Sequence, residues 1–335
     1  MLLPLVAGAG WGTATASWTA IAALLIAMAI DLVFGEPAAR WHPVVWVGRG
    51  LGWAGQRIAP DADAGTAPEG RDLPRFAAGA AYWCVGAVAV LGVAGLWQYA
   101  AAQLPPVFAA CLLGLALKPM LAWRMLRDEV LAVEAALGTS LAAGRSQLGR
   151  LVSRDVAQLD AAAVRESAIE SLAENLNDSV VAPIFWFVLL GLPGAALYRF
   201  ANTADAMWGY RGVRQGRVWE WAGKWAAHAD DVLSWLPARI TGVLIGLAAG
   251  RGMRWAALRA EAGRTPSPNS GWPMAAMALA LGIRLSKKDV YTLNGTGRAP
   301  VQADVQRAAG LCRQALLAHL LLAISTMVLT ILMET

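Results

Sequence analysis

Charged side chains are scarce in this chain. Asp, Glu, Lys and Arg make up 15% of its 335 residues, where a water-soluble domain carries about 25%, and the shortfall excludes the ordinary soluble class. Cysteine is almost missing as well. Cys84, Cys111 and Cys312 are odd in number, lie in or beside apolar stretches and lack metal-type spacing, so neither a disulfide framework nor a zinc site is indicated. A buried apolar role is expected for all three. There is no GxxxxGK[ST] phosphate loop, no GxGxxG after a strand, no prenyltransferase pattern of Asp pairs four apart, and no Ser/His/Asp or Cys/His order stands out; the common nucleotide-loop and hydrolase templates therefore do not apply. The opening MLLPLVAGAGWGTATASW lacks the basic n-region of a secretory signal peptide and is read as retained chain. Net charge is +5, but nothing interleaves aromatic and basic residues as a nucleic-acid groove does, so no nucleic-acid partner is expected.

What the chain has in quantity is apolar surface: 57% hydrophobic residues and a mean hydropathy of +0.48. These residues gather into the blocks Trp18–Phe34, Phe76–Trp97, Pro106–Trp123, Val180–Tyr198, Val232–Gly250 and Leu316–Met333. Crossing a hydrocarbon layer of about 30 Å takes about 20 helical residues, so the expected fold class is all-α: a polytopic integral membrane protein with amphipathic surface helices and re-entrant segments. Many of the sixteen Trp, among them Trp97, Trp123, Trp186 and Trp235, fall near block ends, where an amphipathic ring sits at headgroup level.

Polar stretches 35–75, 124–178, 199–231 and 251–308 separate the blocks, and all of them contain several Arg or Lys, whereas QYAAAQLPP between the second and third blocks contains none. The positive-inside rule then puts all of these polar stretches on the cytoplasmic side of a bacterial inner membrane, with membrane lipid around the blocks. A single crossing by Val180–Tyr198 would break that pattern. Pro183 and the breaker GLPG (Gly191 to Gly194) make a re-entrant hairpin the alternative. No internal repeat and no low-complexity linker interrupts the chain, so residues 1–335 are read as one domain. RMLRDEVLAVEAALGTSLAAGRSQL, with Leu126, Val130, Val133 and Leu137 at helical intervals, reads as an amphipathic surface helix. A further helix follows with Asp160 as its N-cap.

That further helix carries ESLAENLNDSVVAP at the mouth of an apolar block. Glu166, Glu170, Glu174 and Asp178 recur every four residues, so each is rotated only about 40° from the last and they form one acidic stripe. Like charges at that spacing repel, and the stripe wants a cation. For Glu166 a solvated helix face is an equal reading. For Glu174 to Asp178, which abut the membrane block, unpaired charge is expensive. A second cluster, YRFANTADAMWGYR, holds Asn202, Asp205, Tyr210 and Arg211; a third, HADDVLSWLPAR, holds Asp230, Asp231 and Arg239. Oxygen-rich sets of this kind suit Mg²⁺, which takes one or two carboxylates, waters and phosphate oxygens. RTPSPNSGWP offers Asn269 on a proline-stiffened loop, and DLVFGEPAARWHPVVWVGR offers Asp31, Glu36 and His42. A lone histidine is more often structural than catalytic.

Taken together, these motifs resemble the CobD/CbiB family, the membrane adenosylcobinamide-phosphate synthases of cobalamin biosynthesis. The resemblance runs from about Asp31 to Arg307. ESLAENLNDSVVAPIF and YRFANTADAMWGYR are similar to the family's AEN…DG…APLF and NTLDSM.GYK segments, DLVFGEPAARWHPVVWVGR to its D…GDP…HPV..IG, DDVLSWLPAR to its DD..N.LPAR, and SPNSGWPMAAMALALGIRL to its SPN…..AMAGALG.RL. The chain departs from the pattern at Ser179, Glu36, Ala204 and Ala206, and in SKKDVYTLNGTGRAP, where the family commonly has a Gly-Gly-Pro-containing loop.

The resemblance implies amide formation between a carboxylate of the corrinoid adenosylcobyric acid and aminopropanol or its phosphate, with ATP as co-substrate and Mg²⁺. Carried onto this sequence, Glu174, Asp178 and Asp205 are the candidate catalytic carboxylates, and Glu170, Glu174, Asp178, Asp230 and Asp231 the candidate metal ligands. Asn175, Asn202, Tyr210, Arg211, Arg239, Asn269 and His42 are the candidate substrate contacts; Arg211 and Arg239 suit phosphate or propionamide because a guanidinium forms a fork of donors. Association with other cobalamin-assembly enzymes fits such a role. A non-catalytic scaffold of the same fold is the alternative, and a transporter a more remote one.

Overall fold

The apolar blocks become helices. The computed structural model describes residues 12–62, 70–250 and 252–333; residues 1–11, most of the stretch read as retained chain, lie outside the described residues. Along the chain run α1 (Thr13–Phe34), α2 (Pro43–Ile58), α3 (Leu73–Ala102), α4 (Pro106–Leu117), α5 (Trp123–Thr139), α6 (Leu141–Leu148), α7 (Ala161–Leu176), α8 (Ala182–Trp208), α9 (Lys224–Ala248), α10 (Trp255–Ala262), α11 (Gly271–Leu281) and α12 (Gln302–Leu332). Two short antiparallel hairpins pair β1 (Val213–Arg214) with β2 (Arg217–Val218) and β3 (Leu285–Lys287) with β4 (Tyr291–Leu293). Among the described residues, six helical runs are long and apolar enough to cross a membrane: Thr13–Phe34, Leu73–Ala102, Pro106–Thr139, Ala161–Trp208, Lys224–Ala248 and Gln302–Leu332. The chain is an all-α polytopic membrane protein. Val85, Val88, Val93 and Leu96 on α3 and Leu317 and Leu321 on α12 are exposed, as helices that face lipid rather than water require.

The contacts group the chain into two units: Met1–Leu121 with Pro183–Leu233 and Ser325–Thr335, and Ala122–Ala182 with Ser234–Ile324. In the first, α1 lies along α4. Gly114 permits the approach, since a Cβ there would come within 2.9 Å of Ile26 and the Ala23 carbonyl, the small-residue contact by which helices pack in lipid. A second core joins Leu51, Trp83, Phe200, Trp208 and Trp219. The Trp208 indole donates to the Leu51 carbonyl at 3.2 Å and stacks on Trp219.

The breaker expected at GLPG is a single residue. Gly191 adopts φ 68°, ψ −157° and α8 is helical on either side of it. The amide freed there is not orphaned: the buried Gln98 side chain on α3 accepts from the Leu192 N–H at 2.8 Å.

The second unit is built around α7, whose Val164, Ala168, Ile169, Leu172, Ala173 and Leu176 are fully buried against α5, α6 and α11. Asp160 caps it as expected, accepting from Ala163 N at 2.8 Å. A π-helical turn, Asn177–Val181, joins α7 to α8. Pro183 has no N–H, so the Ser179 carbonyl four residues earlier lacks its helical donor; it accepts from Ala122 N at 3.0 Å instead.

Three expectations need correction. The surface helix of residues 124–148 is two helices, split at Ser140, which leaves helical geometry and caps α6 by accepting from Ala143 N; its apolar stripe of Leu126, Val130 and Val133 is buried, as the amphipathic pattern requires. Trp123 is 1% exposed, a core residue and not an interfacial anchor. Cys312 is buried, but Cys84 and Cys111 are exposed, because they sit on the outward faces of α3 and α4, where lipid supplies the apolar surroundings.

Candidate functional site

The acidic stripe on α7 divides into an inner and an outer half. Glu166 and Glu170 are 3% and 4% exposed, Glu174 and Asp178 half-buried. The solvated-face reading of Glu166 therefore fails: its Oε2 accepts from both the amide (2.9 Å) and the hydroxyl (2.5 Å) of Ser286 at the start of the β3–β4 hairpin, with Arg284 at 3.7 Å. The repulsion expected along the stripe is relieved by arginines distant in sequence. Arg154 Nη2 donates to Glu170 Oε2 at 2.8 Å and also to the Ser167 hydroxyl. Arg165, on the other face of α7, forms a two-pronged pair with Glu134, both bonds 2.7 Å.

Beyond Glu170 the stripe opens toward polar partners. Asn175 donates to the Ser171 carbonyl at 2.9 Å. Asn177, 2% exposed, donates to Asp178 Oδ1 at 2.8 Å and accepts from the Thr241 hydroxyl at 3.1 Å. Asp178 is thus oriented within the π turn, a helix irregularity found often at functional sites. Tyr291 on β4 lies by the same stripe. Burial, and after it the negative charge of Glu170 and Glu174, holds the phenol far above its ordinary proton affinity, so it stays an O–H donor.

Arg239 and Asn269 also belong to the second unit. The Arg239 guanidinium sits against the rings of Trp235 and Trp272, 4.5 and 4.8 Å from their centroids, and donates to the Trp235 carbonyl, Asn269 Oδ1 and the Pro268 carbonyl. Three of its five N–H donors are thus engaged, two of them on the SPN loop, leaving Nε–H and one Nη2–H for any substrate contact.

Asn202, Asp205, Tyr210, Arg211, Asp230 and Asp231 lie in the first unit. Asn202 Nδ2 reaches Asp230 Oδ1 at 3.5 Å. The Tyr210 hydroxyl donates to the Ala206 carbonyl, and the ring is covered by Arg214. Arg211 is exposed, and Asp205, Asp230 and Asp231 are half-buried. Among the described residues, no group of three or more His, Cys, Asp or Glu side chains is close enough to hold a metal ion alone.

His42 is bound into a network that sequence reasoning did not assemble. Its Nδ1 accepts from Val44 N at 3.2 Å, capping α2, which leaves Nε2 to donate to Glu36 Oε2 at 2.9 Å. Glu36 Oε1 accepts from Lys118 Nζ at 2.6 Å, and the same nitrogen meets Asp31 Oδ1 and the Leu121 carbonyl, both at 3.0 Å. Burial by itself would raise the proton affinity of Glu36; hydrogen bonds from His42 and Lys118, with the Lys118 charge, outweigh it and hold the carboxyl below its ordinary range. Glu36 and Lys118 of this network line an 830 Å³ groove, otherwise walled by residues such as Val90, Val93, Leu115 and Phe200. The signal was present in ALKPML: a lysine in an apolar block needs a buried partner. Arg154 and Tyr291, also missed, carry no such signal, because only folding brings them to α7.

A multi-pass helical protein whose carboxylates and amides collect at the ends of apolar helices, held there by buried cations, is the class that fold and site define. A family model for "CobD/Cbib protein" matches residues 24–320. The chain is similar to the "Probable cobalamin biosynthesis protein CobD" of Methanothermobacter thermautotrophicus, 38% identical over 82% of this chain and 86% of the relative. It is also similar to the "Cobalamin biosynthesis protein CobD" of Rhodobacter capsulatus (36%, 88% and 93%) and of Chromobacterium violaceum (39%, 86% and 90%). The chain belongs to the CobD/CbiB family. No solved structure matches it.

Proposed function

We propose that this protein acts in cobalamin biosynthesis as the ligase that joins adenosylcobyric acid to aminopropanol or its phosphate, giving adenosylcobinamide or its phosphate. The observation that carries the reading is a family match across residues 24–320 that includes every carboxylate cluster described above. A carboxylate does not react with an amine until one oxygen becomes a leaving group, and phosphoryl transfer from ATP supplies that as an acyl phosphate. Glu174 and Asp178, half-buried and one turn apart, are oxygen donors suited to Mg²⁺, which would neutralise phosphate charge when bound; Asp230 and Asp231 are a separate candidate pair in the first unit. Glu170 suits a metal less well, since Arg154 already occupies one of its oxygens.

The chain's own residues then bind and move a proton. The amine must reach the acyl carbon as a free base, so a carboxylate takes its proton as the C–N bond forms and the C–O bond to phosphate breaks; Asp205 in the first unit and Glu174 in the second are alternative candidates for that role. Exposed Arg211 offers its fork of donors to phosphate or propionamide. The basic polar stretches support a reaction at the cytoplasmic face of the cell membrane, where other cobalamin-assembly enzymes are natural partners.

Purified protein in nanodiscs, given adenosylcobyric acid, ATP, Mg²⁺ and either amine, is expected to form the amide, detected by mass. Asp178→Ala, Asp205→Ala or a chelator should lower the rate by about 10²-fold or more. Absence of product with both amines from well-folded protein would overturn the reading and favour a scaffold.

A further inference from the structure

The 830 Å³ groove lies wholly within the first unit, between α1, α2, α3, α4 and α8. Its ionisable and hydroxyl side chains are Glu36, Lys118, Arg199 and Thr203, and the Glu36 and Lys118 charges already meet each other at 2.6 Å. Along the α4 wall the lining passes from Leu112 and Leu115 to Lys118, a distance of about 9 Å of helix. At the apolar end the Trp97 indole donates to the Leu112 carbonyl at 3.1 Å and joins α3 to α4. Val93 and Leu115, which line the groove inside two of the spanning runs, are exposed. The groove therefore opens sideways onto surface that faces lipid.

Trp41 and Trp46 complete the lining where α2 begins, and the chain there is basic. From Pro37 to Pro60 it holds Arg40, Arg49 and Arg57 and no Asp or Glu. Trp46, Arg49, Trp53 and Arg57 are exposed and recur every three or four residues, so they form one stripe along α2. The opposite face, with Leu51, Ala54 and Ile58, is buried in the core that holds Trp208 and Trp219. The Trp46 indole donates to the Arg40 carbonyl at 2.9 Å, which brings Arg40 and Trp41 to the mouth of the groove. Arg57 is committed to Trp53, lying 3.7 Å from its ring centroid. Arg40 and Arg49 take part in none of the ion pairs among the described residues. Exposed Trp and Arg on a helix beside apolar spans make a surface for headgroup level, and cations with no carboxylate beside them favour an anionic headgroup.

We propose that the first unit binds an anionic phospholipid, with an acyl chain in the groove and the phosphate against Arg40 and Arg49 at its mouth. Such a lipid touches five helices at once and binds only the folded chain, so it braces the unit. The apolar walls reject a wholly polar anion, and the arginines distinguish this lipid from a zwitterionic one. The site is independent of the amide-forming reaction.

Full-length protein, delipidated in detergent, is titrated with dioleoylphosphatidylglycerol or dioleoylphosphatidylcholine, and adducts are resolved by native mass spectrometry alongside the melting temperature. Wild type is expected to bind phosphatidylglycerol about tenfold or more tighter than phosphatidylcholine, since each arginine near a headgroup contributes about fivefold, and to melt higher when it is bound. Arg40→Ala with Arg49→Ala should erase that preference and leave phosphatidylcholine binding within about twofold. Ala89→Trp, which puts a ring on the exposed groove wall, should lower binding of both lipids; Val93→Trp, also exposed on the wall, serves if Ala89→Trp does not fold. Equal binding of the two lipids by wild type, a preference that survives loss of both arginines, or full binding in the tryptophan variant would each overturn the proposal. Glycerol phosphate is the remaining arm. It should leave the melting temperature unchanged, and a rise equal to that with phosphatidylglycerol would mark a phosphate site with no acyl seat and refute the lipid.

Discussion

Lys118→Met should be among the most damaging single substitutions in the first unit. The ammonium has three N–H donors and meets three acceptors, Asp31 Oδ1, Glu36 Oε1 and the Leu121 carbonyl, within 3.0 Å. Its side chain is 4% exposed and that of Asp31 fully buried. Removing the ammonium takes away the positive charge held 3.0 Å from the fully buried Asp31 carboxylate and 2.6 Å from Glu36. Breaking a buried pair in this way costs about 3–5 kcal/mol, a large share of the roughly 5–15 kcal/mol that holds a protein folded. The assay is thermal unfolding in nanodiscs, where Lys118→Met should melt roughly 5–15 °C below wild type. Asp31→Asn placed in the Lys118→Met background removes the second charge of the pair and should recover about half of the loss or more, since deleting both partners of a buried pair is much milder than deleting one. Equal melting of Lys118→Met and wild type, or a further fall on adding Asp31→Asn, would refute the charge-pairing argument.

The other stability expectations concern Glu36 and the helix break. Because Glu36 is held below its ordinary value of about 4.5, the folded state binds its proton less readily than the unfolded chain; the stabilisation is complete above about pH 4.5 and disappears as pH falls through the folded value. Melting temperatures measured down an acid series should therefore drop more steeply for wild type than for Glu36→Gln, and parallel curves would count against it. At Gly191, Ala would have to adopt a positive φ and place its Cβ against the Gln98 side chain, while Gln98→Leu leaves the buried Leu192 amide without an acceptor. Each is expected to cost about 1–3 kcal/mol, read as increased protease sensitivity in detergent; resistance equal to wild type in Gln98→Leu would show that the amide finds another acceptor.

Much of the candidate site was legible before folding was considered. Glu166, Glu170, Glu174 and Asp178 declare a shared helix face by their spacing alone, and Asp160 declares where that helix begins. Their partners were not legible. Arg154 reaches Glu170 through a loop, Tyr291 is 121 positions from Glu170 by its number, and no local pattern links Ser286 to Glu166. The solvated-face reading of Glu166 failed because periodicity reports that a helix has two faces but not whether other elements cover both.

Composition and apolar block length by themselves determined that this is a helical membrane protein, since a lipid interior leaves backbone N–H and C=O groups no partner except their own helix. Ordered motifs likewise determined the family. Only tertiary structure decided which charges are neutralised internally, Lys118 by Asp31 and Glu36, Glu170 by Arg154, and which carboxylates, Glu174 and Asp178, stay half-buried. Pairing of that kind depends on distances between residues far apart in the chain, and in a low-dielectric interior those distances set whether a charge is a structural cross-link or a group available for chemistry.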